Sequence, residues 1–176
     1  SQAGYPIKGL HKVLEAMPFV LRDFPDTKIK IAGHNIIDKP FWRISGYGKY
    51  IRSLIKKYGL DERIDFLGTL SESEMCSAYL SSNVFVCPSS IENSPNSLGE
   101  AQLLGVPHIA SYVGGAEDMM SGEEENIYRF EEVEMLAKKI CAIFEGGEDV
   151  KLSDNTRHNP EENAAQLISI YKNILG

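Results

Sequence analysis

Two carboxylates, Glu92 and Glu100, bracket a short polar stretch, Asn93-Ser94-Pro95-Asn96-Ser97-Leu98-Gly99. Pro95 disfavours helical geometry at Ser94 and suits the first position of a helix, so a helix is expected to begin at 95–97. The first amides of a helix have no internal acceptor, and its start carries roughly half a positive charge, which together hold a phosphate without an arginine. Glu92 then falls in the loop before the helix and Glu100 in its first turn. From there the two carboxylates can accept hydrogen bonds from hydroxyls on either side of the phosphate. A structural role is open for one of them, because Ser97-x-x-Glu100 also fits a capping box. That role leaves Glu92, Asn93 and Asn96 unaccounted for.

Other residues carry weaker signals. Lys8 stands at a predicted helix start, where a cation opposes the dipole. Gly114-Gly115 follows a strand and suits either close approach to a ligand or a simple turn. Gly46-Tyr-Gly48 lacks the third glycine of a dinucleotide fingerprint and follows a loop instead of a strand. His11, His34, His108 and His158 share no spacing, so no metal site is expected. Ser71-x-Ser73-Glu74 reads as a capping box.

A scaffold of alternating strands and helices is needed to bring these residues together. Leu10, Val13, Leu14, Met17 and Leu21 recur at spacings of three and four, predicting a helix over 7–23 that ends near Asp23-Phe24-Pro25. Residues 28–33 read as a strand stopping at Gly33, and a looser stretch, 34–46, leads to a helix at 47–58. Strands follow at 64–68, 84–88, 108–110 and 127–130, separated by helices at 71–81 and 96–105 and followed by helices at 131–145 and 160–174. This alternation predicts an α/β fold, a Rossmann-like parallel sheet with helices on both faces. Such sheets bind ligands beyond the carboxyl ends of their strands. Gly33, Gly68-Thr69-Leu70, Ser89 to Asn96 and Ser111 to Glu117 all occupy that position. Ser1 to Ile7 reads as the tail of a first strand, so an excised fragment is expected.

Composition sets the outer limits. With 176 residues, 43% hydrophobic and 24% charged, the chain suits one domain. Its apolar runs fall far short of the roughly 20 residues that span a bilayer, and it opens without a secretion signal, so a cytoplasmic protein is expected. Cys76, Cys87 and Cys141 form no C-x-x-C pair and read as reduced core residues. The net charge of −7 is uneven: residues 1–114 hold 12 basic and 11 acidic groups, and residues 115–176 hold 6 and 14. No nucleic-acid partner is indicated, and Lys49, Arg52, Lys56 and Lys57 read as the solvated face of a helix. Membrane contact is likewise not indicated.

The spacing of Glu92 and Glu100 resembles the E-x7-E element of the retaining two-lobed (GT-B) glycosyltransferases of family 4, group 1. Further matches run in the family's order across residues 8–130: Lys8-Gly9, Pro25-Asp26-x-Lys28-Ile-x-Ile-Ala-Gly33, Phe66-Leu67-Gly68, Val84-x-Val-x-Pro-Ser89, Glu100-Ala101, Gly105-Val-Pro107 and Gly114-Gly115. The resemblance implies the C-terminal, donor-binding lobe, with the N-terminal acceptor lobe absent. It implies a nucleoside-diphosphate sugar as donor, hexosyl or related transfer with retention, no metal and no cofactor. Glu92 and Lys8 become the catalytic candidates: Lys8 would pair with the diphosphate and Glu92 would orient the donor sugar. Glu100 would take the ribose hydroxyls, the amides of Asn96, Ser97 and Leu98 a phosphate, and backbone at Thr69 and Leu70 the base, with Gly33 lining the nucleotide site. Ala3 stands where the family often has an arginine, and Asn93-Ser94-Pro95-Asn96 replaces its glycine-rich stretch. The fragment alone is expected not to turn over. A nucleotide-sugar epimerase lobe, with Glu92 and Asp118 as acid–base candidates, and a non-catalytic binding module are the alternatives.

Overall fold

A computed structural model describes residues 4–146, together with 161, 164 and 165. A 3-10 turn, Pro6–Lys8, leads through Gly9 into α1 (Leu10–Asp23). There follow β1 (Ile29–Ala32), a 3-10 turn at Phe41–Arg43, α2 (Gly46–Tyr58), β2 (Ile64–Gly68) and α3 (Glu72–Leu80). The chain continues with β3 (Phe85–Cys87), α4 (Asn96–Leu103), β4 (His108–Ser111), α5 (Ala116–Met119), β5 (Ile127–Tyr128) and α6 (Val133–Gly146). The helix expected over 160–174 and the place of His158 lie outside the described residues. The four-residue α5 has no counterpart in the sequence reading, because a single turn is too short to show a period.

All strand pairs are parallel, as alternation with helices requires. They form two sheets and not one: β1 pairs with β2, and β4 lies between β3 and β5. Among the described residues β1 and β3 therefore each keep an unpaired edge. The chain enters between them: Ser90 donates its amide to the Ile7 carbonyl at 2.8 Å, and a Cβ on Gly4 would sit 3.4 Å from Ile36.

Helices cover both faces of the larger sheet. Neighbouring residues of β4 point oppositely, so Ile109 packs with Leu136 and Ile140 of α6, whereas Ala110 packs with Leu98 of α4 and Ala116 of α5. The helix α1 belongs to both halves of the molecule. Its Leu10, Leu14 and Met17 pack with Ile31 of β1 and Ile51, Leu54 and Ile55 of α2, and its Ala16 and Val20 join the α6 cluster. Apolar positions thus occupy more of its circumference than a one-sided helix would need.

Local caps follow the sequence in one place and depart in another. Ser71 and Glu74 form the expected capping box on α3, with the Ser71 amide donating to Glu74 Oε2 at 2.8 Å. No such box opens α4: Pro95 is its cap residue, Ser97 already lies inside the helix, and Glu100 lies beyond the first turn. The cysteines divide as well. Cys87 is buried and Cys141 half-buried, as expected of core residues, but Cys76 is exposed on α3.

Candidate functional site

The site is built where the chain start meets the loop between β3 and α4. Gly9 has φ 71°, and a Cβ there would lie 1.6 Å from the Pro88 carbonyl oxygen. Only glycine lets the Pro6–Lys8 turn sit this close to the end of β3. The result is an ion pair: Lys8 Nζ lies 2.5 Å from Glu92 Oε1, with side-chain exposures of 30% and 12%. Ser89, 2% exposed, donates its hydroxyl to the same Glu92 oxygen at 2.8 Å. Ser111 of β4 in turn donates to the Ser89 carbonyl at 2.5 Å, tying the loop to the sheet.

From the other side the Glu92 loop is held by Gly114-Gly115. A Cβ on Gly114, at φ 50°, would meet the Glu92 carbonyl oxygen at 1.8 Å, and one on Gly115 would meet that of Asn93 at 2.0 Å. The Gly115 amide donates to Asn93 at 2.9 Å. The close approach these glycines permit is therefore to the neighbouring loop.

Glu100 has a partner that the sequence did not flag. The Tyr79 hydroxyl, on α3, lies 3.0 Å from Glu100 Oε2 and 3.0 Å from the Ser97 carbonyl. Tyr79 is 6% exposed. Burial first, and then the Glu100 carboxylate, push its pKa far upward, so it stays a neutral donor. Tyr79 could be read from sequence only as an apolar helix position, and Ser89 only as the end of a strand motif.

The α4 amides are partly committed. Leu98 donates to the Pro95 carbonyl at 2.9 Å and its side chain is fully buried. Asn96 and Ser97 open the helix without a main-chain acceptor among the described residues, so the expected phosphate donors narrow from three amides to two. Gly33 is also engaged: its amide donates to the Gly68 carbonyl at 2.8 Å, joining the carboxyl ends of β1 and β2. Thr69, which is exposed, and Leu70, which is half-buried, follow directly on that junction.

The hydroxyl beside Glu92 is that of Ser89, which is committed to the carboxylate as a donor. Cys87, the nearest thiol in the chain, is pushed up to about 11 by burial and by the Glu92 charge, and so stays protonated. A cavity of about 610 Å³ opens elsewhere, along β5, lined in part by Tyr112, Glu117, Asp118, Arg129 and Lys139. Asp118 thus lines a different space, and none of the expected donor-site residues borders that cavity. The Lys8–Glu92 site is an open face at the carboxyl ends of β3 and β4.

A parallel α/β lobe with its polar residues gathered at the strand carboxyl ends is the architecture of one lobe of a GT-B glycosyltransferase. The chain shares its fold with sucrose-phosphate synthase from Thermosynechococcus elongatus, at a TM-score of 0.72 and 24% identity over 97% of this chain and 43% of that one. It is similarly like Anabaena HepE crystallised with UDP-glucose, with a TM-score of 0.66 and 22% identity over 97% of this chain and 45% of that one. A Francisella tularensis structure described as the C-terminal domain of a group 1 glycosyl transferase matches at a TM-score of 0.65 and 22% identity, covering 80% of this chain and 71% of that one. Among curated sequences, D-inositol 3-phosphate glycosyltransferase of Corynebacterium urealyticum is 23% identical over 96% of this chain and 41% of its own length. Residues 3–167 match the family of glycosyl transferases group 1, and the chain belongs to that family. It spans less than half the length of the curated relatives it matches.

Proposed function

We propose that this chain is the donor-binding lobe of a retaining, metal-independent glycosyltransferase and that it holds a nucleoside-diphosphate sugar across the Lys8–Glu92 pair. The observation that carries the reading is that pair, 2.5 Å apart, beside the open amides of Asn96 and Ser97. A diphosphate needs a cation and free donors; the Pro6–Lys8 turn supplies the first and the start of α4 the second. On donor binding Lys8 turns from Glu92 to the diphosphate, and the released carboxylate accepts hydrogen bonds from the sugar. Glu100, oriented by Tyr79, takes the ribose hydroxyls, and backbone at Thr69 and Leu70 meets the base. As the glycosidic bond breaks, Lys8 and the two amides stabilise charge developing on the leaving diphosphate. Departure and attack on one face of the sugar, as the resemblance to the retaining family implies, give retention.

The open face fits a cleft closed by a second lobe that supplies the acceptor. In this division of labour the 176-residue chain binds donor or nucleotide without turning it over.

Calorimetric titration with UDP, GDP and ADP tests the reading. A saturable preference for one nucleotide, weakened about tenfold (about 1.4 kcal/mol) in both Lys8→Ala and Glu100→Ala, is the expected result. A folded chain that binds none of the three, or product formation by this chain alone, would count against it.

A further inference from the structure

We infer that the turn at Phe41–Arg43 and the face of α2 beside it form a docking surface for an anionic membrane. Trp42 is 79% exposed and Phe41 60%. These are large apolar surfaces to leave in water, and they sit side by side on one 3-10 turn directly after Pro40.

The turn is held on a fixed base. Ile44, one residue past the turn, is 4% exposed, and Ile36 and Ile37, which precede it, pack against the α1–α2 core. Asn35 Oδ1 accepts the Ile37 amide at 3.0 Å, and Ser45 caps α2 by accepting from Gly48 at 3.1 Å. Gly48 has no room for a Cβ, which would meet Ile44 at 2.6 Å. The aromatic pair is therefore presented by packed structure on both sides.

Charge supplies the second, independent observation. Residues 34–57 contain six basic side chains and one acidic one, in a chain whose net charge is −7. Lys49, Arg52 and Lys56 recur at spacings of three and four along α2 and so share a face. Lys49 Nζ stands 4.8 Å from the centre of the Phe41 ring, which joins that basic face to the aromatic turn. Aromatic side chains at the level of lipid headgroups, with lysine and arginine beside them, are the pattern that binds anionic bilayers. A soluble polyanion without rings to stack on them would satisfy the cations and leave Pro40, Phe41 and Trp42 uncovered. A bilayer answers both. Among the described residues no helix is long and apolar enough to cross a membrane, so the contact is peripheral. The basic face that sequence alone assigns to solvent thereby gains a partner. The turn follows β1 at its carboxyl end, so docking here holds the open donor face near the lipid surface.

Trp42 is the only tryptophan in the chain, so intrinsic fluorescence reports on this turn alone. The 176-residue chain is mixed with vesicles of phosphatidylcholine, with or without phosphatidylglycerol at about one part in three, in low salt. The expected result is a blue shift of emission with anionic vesicles only, reversed by salt, together with co-sedimentation. Arg43→Glu/Lys49→Glu should weaken co-sedimentation by about tenfold or more. Phe41→Ser/Trp42→Ser should do the same, with both variants checked for native circular dichroism and unchanged nucleotide titration. Emission unmoved by anionic vesicles overturns the proposal. So does an equal shift with neutral vesicles, which removes the role of charge, or with single-stranded RNA, which makes the surface a nucleic-acid site.

Discussion

Lys8 and Glu92 are 84 positions apart in the chain, and their side chains meet at 2.5 Å. Each is held by its own device: Lys8 by the turn that Gly9 presses against Pro88, and Glu92 by the Ser89 hydroxyl and the Gly114-Gly115 backbone. Under the proposed function, a diphosphate must draw this cation from the carboxylate.

That competition separates the two residues experimentally. Glu92→Gln keeps the shape but frees Lys8, so the affinity for nucleoside diphosphate alone should hold or rise by a few-fold, while the added affinity for the sugar nucleotide is lost. Lys8→Ala should weaken both ligands and cost about 1–2 kcal/mol of stability, discounted because Lys8 keeps 30% exposure. If Glu92→Gln weakens diphosphate binding as much as Lys8→Ala does, Glu92 contacts the phosphates and the exchange does not occur.

Tyr79→Phe isolates the positioning of Glu100. Loss of the hydroxyl removes the bonds to Glu100 and to the Ser97 carbonyl, for about 1 kcal/mol of stability by denaturant titration. Nucleotide affinity should fall several-fold while the preference between bases stays the same. A change in stability with no change in affinity would reduce Tyr79 to a packing residue.

The glycines give a paired test of close packing. Gly114→Ala adds a methyl 1.8 Å from the Glu92 carbonyl at φ 50° and should cost more than about 2 kcal/mol. Gly59, at φ 64°, has nothing within 4 Å of an added Cβ, so Gly59→Ala should cost only backbone strain, about 1 kcal/mol. Equal losses would mean that the Glu92 loop simply moves aside.

His11 contributes a pH dependence. Its Nδ1 lies 3.1 Å from the Tyr47 hydroxyl, and its ring is packed by Tyr47, Tyr50 and Phe130. Burial lowers its pKa; Glu15 raises it by less, and Lys12 adds to the lowering. The unfolded chain then binds more protons than the folded one below the ordinary value of about 6.5. The contribution to stability is complete above that value and is lost as pH falls toward the lowered one. Denaturation midpoints measured from pH 7.5 to pH 5 should show this slope, and His11→Gln should flatten it.

Much of this architecture was legible in the sequence. The order of strands and helices from Leu10 to Gly146 follows the apolar periods, and Pro95 located the start of α4. What stayed hidden was tertiary. Periodicity gives no pairing, so the division of the strands into two sheets was invisible. Ser97-x-x-Glu100 has the spacing of a capping box, but Pro95 already ends the loop and draws Ser97 into the helix. Leu98 was a sensible amide donor by position, yet it spends its N–H on the Pro95 carbonyl. Tyr79 and Ser89 act through contacts with residues that no local pattern ties to them.

No ladder of hydrogen bonds joins the two sheets among the described residues, and α1 sits in the apolar clusters of both. The molecule should therefore melt as a single cooperative unit whose keystone is that helix. Probes placed in β2 and in β4 should lose their signal at one denaturant concentration. Leu14→Ala, which opens a cavity at a fully buried α1 position, should move both transitions together by about 3 kcal/mol. A helix that begins beside Lys8 thus couples the integrity of both sheets to the geometry of the Lys8–Glu92 pair.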